Sequence, residues 1–129
     1  MNDPMKGHRF ADRLGFAWAG LCTAWRTEKS LRTHALATVG VIAALLVTGA
    51  SALWWATMAL TIALVVAAEL LNTAIEALAD HLHPQRHDAI KRTKDVAAAA
   101  VLVSSLGALA VAMAFAIDQV WPLLQGWLP

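Results

Sequence analysis

The chain has one cysteine, Cys22, and no Gly-x-x-x-x-Gly-Lys stretch. A single cysteine excludes an internal disulfide and any Cys-x-x-Cys metal or redox site. Without the glycine-rich loop, no nucleotide is held by a Walker fold. Charge is also scarce: 15% of the 129 residues are charged, 59% are hydrophobic, and the mean hydropathy is +0.57. A soluble domain of this length has too much surface to keep wet for that composition. Charge is missing altogether from two long stretches. Thr33 to Ala68 contains no Asp, Glu, Lys or Arg, and neither does Val96 to Ile117. His81, His83 and His87 cluster, but without cysteines at soft-metal spacing, so no zinc site is expected. No clean apolar run leads to a small-residue cleavage site, because Asp12 and Arg13 interrupt the first one. The apolar segments are therefore expected to stay in the mature protein.

The remaining charge is arranged in blocks. All ten basic residues fall in two groups: Lys6, Arg9, Arg13, Arg26, Lys29 and Arg32, then Arg86, Lys91, Arg92 and Lys94. About 20 apolar residues cross a bilayer, so 33–68 is too long for one span. "TGAS" at 48–51 breaks it, with Gly49 as a helix stop. The expected architecture is all-α and membrane-embedded, a single domain over 1–129. Its spans cover about 31–48, 53–80 and 95–117, with Trp54 and Trp55 in an interfacial belt. Ser104, Ser105, Gly107 and the alanines of 97–100 allow the third span to pack closely. Residues 8–28 form an amphipathic surface helix: Phe10, Leu14, Ala17, Trp18, Leu21, Ala24 and Trp25 recur at helical spacing opposite Arg9, Asp12, Arg13, Thr23 and Arg26. Both basic blocks flank the same end of the spans. They imply a cytoplasmic N-terminus and an exterior C-terminus, and topology accounts for them without a nucleic-acid partner.

Against this background "AAELLNTAIEALAD" (67–80) stands out. On a helix, Glu69, Asn72, Glu76, Asp80 and His83 share one narrow stripe. Counting about 1.5 Å per residue from Leu53 across about 30 Å of hydrocarbon places Asn72 near the far boundary. Glu69 then lies just inside and Glu76 just outside. An unpaired carboxylate at the depth of Glu69 costs a few kcal/mol on insertion, and such residues are functional candidates by default. Desolvation disfavours the charged form of a carboxyl there, which suits it to accepting a proton. Glu76, nearer water and the basic residues, suits a cation instead. Glu28 ends the surface helix at similar depth and could join Glu76 in an oxygen site for Mg²⁺. In "KRTKD", Lys94 is offered to phosphate and Asp95 as a hydrogen-bond acceptor.

These motifs resemble a known family. "ELLNTAIEALAD" (69–80) with "KDVAAAAVL" (94–102), and "GFAWAGLCTAWRTEKSLR" (15–32), are similar to the small bacterial membrane kinases that phosphorylate diacylglycerol or undecaprenol. The resemblance covers about residues 9–117. It implies a homotrimeric kinase of the bacterial inner membrane, dependent on ATP and Mg²⁺, with active sites shared between neighbouring subunits. Carried over by motif, Glu69 is the general base on the lipid hydroxyl and Asn72 helps orient it. Glu28 and Glu76 bind magnesium, and Arg9, Phe16, His87, Lys94 and Asp95 join them around the nucleotide. Arg13, Trp18, Trp25 and Arg32, with Glu69, face the lipid substrate.

The chain departs from the family in four places. Phe16 stands where the enteric enzymes have Tyr, and Gln85-Arg86 replaces an acidic-aromatic pair before His87. "LRTHA" (31–35) is nearer the undecaprenol kinases, whereas "WRTEKS" lacks the Asn that those enzymes place after the Glu. The expected activity is phosphorylation of diacylglycerol to phosphatidic acid, with undecaprenol as the alternative acceptor. A non-enzymatic transport subunit, with Glu69 carrying protons, is the rival from another class. A proton path would not require Glu28, Glu76, Lys94 and Asp95 together.

Overall fold

The computed structural model describes residues 9–85 and 87–126. Lys6, Arg86 and the expected start of the surface helix at residue 8 lie outside the described residues. Four long helices follow one another: α1 (Phe10–Thr27), α2 (Lys29–Thr48), α3 (Ala52–Leu82) and α4 (Asp88–Phe115). A π-helical turn, Ala116–Val120, leads into a short α5, Trp121–Gln125. The described residues contain no strand. α2, α3 and the α4–α5 rod each hold an 18-residue stretch, of mean hydropathy 1.6, 2.0 and 2.3, and are long and apolar enough to cross a bilayer. The chain is a multi-pass membrane protein.

The boundaries have local causes. Asp12 Oδ2 accepts from the Arg9 backbone N–H at 3.0 Å, capping the start of α1. Only Glu28 separates α1 from α2, its backbone extended at φ −100°, ψ 117°. α2 stops at Gly49, whose φ of 63° lies in the left-handed region. The Ala50 N–H there bonds back to the Leu45 carbonyl at 3.1 Å, closing the turn. At the start of α4 the His87 Nδ1 accepts from the Ala89 N–H at 3.2 Å. That cap lets α4 begin well before Asp95, so Lys91, Arg92 and Lys94 ride on its first turns rather than in a loop. Past Ile117 the helix also continues. Pro122 has no N–H for the carbonyl four residues back, and the ladder widens into the π-helical turn just before it.

Hydroxyls within the spans are satisfied locally. Thr38, Thr48, Thr57 and Thr61 each donate to the carbonyl four residues earlier at 2.8 Å. In hydrocarbon this gives each of these four hydroxyls an acceptor. Leu36, Val47, Leu60, Leu102 and Val103 face outward, as lipid-facing residues should.

The tightest packing lies at the end of the bundle near Gly49. Leu45, only 2% exposed, meets Met58 and Phe115, flanked by Val41, Ala44, Trp54 and Val111. Trp54 packs edge-on against Phe115, with ring centroids 5.2 Å apart, and its indole N–H donates to Asp118 Oδ2 at 2.9 Å. Trp54 therefore pins α3 to the end of α4, while Trp55 remains exposed. α3 has 31 residues and is about 46 Å long. That exceeds the hydrocarbon thickness, so its polar end must project past the membrane boundary.

Gly49→Ala should cost about 1–2 kcal/mol, because a Cβ is strained in the left-handed region. Gly40→Ala is the contrast, since an added Cβ there meets nothing within 4 Å. Thermal unfolding in detergent micelles should show a lower midpoint for the first and an equal or higher one for the second. An unchanged midpoint for Gly49→Ala would contradict this account of the turn.

Candidate active site

The far end of the bundle carries the polar residues. Along α3, Glu69 is buried at 8% exposure, Asn72 and Glu76 are half-buried, and Asp80 is exposed. Each has a defined environment. Ser30 Oγ donates to Glu69 Oε2 at 3.2 Å, and His34 Nε2 lies 3.1 Å from Glu69 Oε1. Both partners come from α2, four residues apart and so on one face of it. These contacts offset the cost of burying a carboxylate. Further along, Asn72 Nδ2 donates to Glu76 Oε1 at 3.1 Å. Its other amide atom, Oδ1, is buried and has no hydrogen-bond partner.

Across the α3–α4 connection Lys94 Nζ donates to Asp80 Oδ1 at 2.8 Å, and within α4 Lys91 Nζ donates to Asp95 Oδ2 at 2.7 Å. The sequence motif grouped Lys94 with Asp95. The structure instead pairs Lys94 with α3 and Asp95 with the preceding helical turn, because residues four apart meet on a helix face while adjacent ones diverge.

Three concavities surround this region. A cleft of about 660 Å³ between α1 and α3 is lined by Glu28, Thr73, Glu76 and Asp80, with Leu21 and Leu70 among its apolar residues. It brings Glu28 and Glu76 to one space. An apolar cavity of about 580 Å³ lies under α1, lined by Trp18, Leu21, Trp25, Leu31, Ala35 and Val66. A third, of about 530 Å³, gathers Asp80, His83, His87, Lys91, Lys94 and Asp95. Leu21 borders both the apolar cavity and the acidic cleft. On α3 the same two spaces are bordered by Val66 and Leu70; Glu69, between these two in sequence, lines neither space.

Not every expected residue joins this arrangement. Arg9, Arg13 and Phe16 are exposed on α1 and line none of the three spaces. Arg32 is exposed and lies about 200° around α2 from Ser30, away from Glu69. Gln85 lines the third space, whereas Arg86 lies outside the described residues. Sequence reasoning missed Ser30 and His34 as partners of Glu69. The signal was available in His34, the first ionisable side chain in a stretch otherwise free of charge.

Glu28 and Glu76 offer hard oxygen donors of the kind Mg²⁺ takes, and their shared cleft fits such an ion. Among the described residues no group of three or more Asp, Glu, His or Cys encloses a metal. Two carboxylates leave room for phosphate oxygens, the usual remaining ligands of magnesium in nucleotide sites.

A family model described as "Prokaryotic diacylglycerol kinase" matches residues 15–116. A diacylglycerol kinase of Synechocystis sp. is 40% identical over 97 residues, spanning 74% of this chain and 55% of that protein. The match thus covers little more than half the length of the Synechocystis protein. The diacylglycerol kinase of Escherichia coli K12 is 30% identical over 101 residues, 78% of this chain and 83% of its own. An undecaprenol kinase of Bacillus subtilis is 34% identical over 96 residues, 74% and 78% of the two chains.

The short Asn72–Glu76 contact gives a direct test of this geometry. Asn72→Asp would set a second carboxylate against Glu76, and two such groups in contact share a proton. In metal-free micelles at neutral pH, the infrared spectrum of that variant should gain a protonated-carboxyl band that Asn72→Leu lacks. Identical spectra would mean that the two side chains do not meet.

Proposed function

Because the chain belongs to the prokaryotic diacylglycerol kinase family, we propose that it transfers the γ-phosphoryl group of ATP to a lipid alcohol, converting diacylglycerol to phosphatidic acid. One observation carries the reading: the buried Glu69 of α3 lies one residue from Leu70, which borders the acidic cleft, and three from Val66, which borders the apolar cavity. Acyl chains favour the first space. Nucleotide and metal favour the second. The hydroxyl of a lipid lying between them is held at the depth of Glu69.

In the proposed reaction Glu69 accepts the hydroxyl proton as the lipid oxygen bonds to the γ-phosphorus. The bond from that phosphorus to the bridging oxygen breaks, and ADP departs. Glu28 and Glu76 would hold Mg²⁺, which when bound neutralises charge on the phosphates. Lys94 adds positive charge beside the transferring group, and Asp80 fixes its ammonium. Asn72 steadies Glu76, in place of the expected Glu69, through its amide N–H. His87 and Asp95 border the same space as Lys94 and serve the nucleotide. Positioning and electrostatics of this kind supply most of the catalysis in phosphoryl transfer. A proton-carrying transport subunit would have no use for the second acidic cleft.

The proposed location is the bacterial inner membrane, with the N-terminus cytoplasmic and the C-terminus periplasmic. Support comes from the basic residues of α1 and early α4, which flank the carboxylate end. A homotrimer with shared sites is the assembly the family implies. The groove of Leu64, Ala68, Leu71, Asn72, Val96 and Ala100 offers a close-packing face for it. Undecaprenol is the second acceptor, favoured by the name of the Bacillus relative and by a cavity lining that does not distinguish acyl from prenyl chains.

Purified protein in mixed micelles with Mg-ATP, offered diacylglycerol and undecaprenol side by side, should phosphorylate diacylglycerol faster. Glu69→Gln should lower turnover by about 10²–10⁴-fold while assembly persists. Retained turnover in that variant would remove Glu69 from the base role. Glu28→Asp and Glu76→Asp should each raise the magnesium concentration needed for half-maximal rate. An unchanged requirement in both variants would count against the metal assignment.

A further inference from the structure

We propose that Ser30 and His34 of α2 are positioning residues for the base, locking the Glu69 carboxylate in the orientation that leaves a lone pair for the lipid hydroxyl. The inference rests on the kinase reading above. Both oxygens of Glu69 are engaged, Oε2 by the Ser30 hydroxyl at 3.2 Å and Oε1 by His34 Nε2 at 3.1 Å. Each carboxylate oxygen has two lone pairs, so one donor per oxygen leaves one lone pair on each.

A glutamate side chain turns about three bonds, and two fixed donors remove that freedom. Orientation matters here because a base acts only when its lone pair faces the proton at hydrogen-bond distance. Geometry also selects the imidazole tautomer. Facing a carboxylate, Nε2 carries the hydrogen and donates.

His34 has little else to do with that N–H. The space it borders is lined by Val41, Met58, Ile62, Val65 and Leu109, with Thr38, Thr61 and Ser105 the other polar lining residues. Thr38 and Thr61 already donate to carbonyls of their own helices, and Ser105 has no charge. No acid lines it. A histidine on this apolar wall is therefore explained by Glu69, and the i, i+4 spacing brings Ser30 to the same carboxylate.

The alternative is that the two contacts merely fasten α2 to α3. Steady-state kinetics with diacylglycerol and Mg-ATP both varied separates the two roles. His34→Leu should lower kcat by about 100-fold, the scale of a misplaced catalytic group, with both KM values nearly unchanged. His34→Gln sets an amide N–H near the position of Nε2 and should recover most of that loss. Ser30→Ala should show a smaller fall, again in kcat. Equal impairment of His34→Leu and His34→Gln, a loss confined to the lipid KM, or a loss that follows the thermal midpoint would each overturn the proposal.

A readout independent of activity accompanies this. The ¹⁵N resonances of the His34 imidazole should move when Glu69→Gln replaces the carboxylate in the full-length protein in micelles. An active wild type whose His34 resonances ignore that substitution would defeat this inference alone. A wild type that phosphorylates no lipid would defeat the kinase reading and the positioning role with it.

Discussion

The arrangement depends on keeping one carboxylate out of water at the edge of a bilayer. Burying a charge without partners costs far more than any single packing contact returns. Glu69 is tolerable because α2 supplies two polar side chains directly against it. That requirement fixes the register of α2 against α3 at this end: sliding either helix by a residue would turn Ser30 and His34 off the carboxylate. It also fixes α1, because only Glu28 separates α1 from the helix that carries Ser30. The surface helix, the first span and the second are thus referenced to one side chain.

From that point the polar residues form a gradient along α3. Glu69 is enclosed, Asn72 and Glu76 are half-buried, and Asp80 is exposed and tied to Lys94. A rod about 46 Å long carries its last turns beyond the hydrocarbon. One helical face therefore passes from lipid depth to bulk water. A lipid alcohol and a water-borne phosphate donor meet only where those environments adjoin. In the proposed reaction such a face would let one side chain contact the first while those a turn or two later contact the second.

The spans and the carboxylate stripe were legible because each is a one-dimensional pattern. A gap in charge reports a span, and a three- or four-residue recurrence reports a helix face. The remaining features needed a second helix. That His34 points at Glu69 depends on how α2 lies against α3, which no spacing within either segment encodes. Lys94 was grouped with its neighbour Asp95, yet its partner Asp80 lies fourteen residues away across a turn. Trp54 had the composition of an interfacial anchor, and only the approach of α4 made it the donor to Asp118. Glu28 was placed at a helix end, but its extended backbone between two helices followed from nothing in its own chemistry. Side-chain type and depth could be read from the sequence, whereas pairing across helices could not.

The tightest apolar packing and the carboxylate stripe also sit at opposite ends of the bundle. Leu45, Met58, Phe115 and Trp54 form an apolar knot near Gly49, where the chain turns between spans. At the other end the buried apolar side chains are few and mostly small, Ala24, Leu31, Ala79 and Ala97, and the helices are joined by Ser30, His34 and Lys94. Apolar packing is non-directional and tolerates many rotamers of similar volume, so it can hold helices together without fixing an oxygen atom. Hydrogen bonds have narrow distance and angle requirements and do the opposite. Their net worth is smaller, which is affordable where a separate knot already holds the spans. The consequence for mutation is directional. Changes near Gly49 should act mainly through folding, whereas changes around Glu69 disturb geometry in a bundle that still assembles.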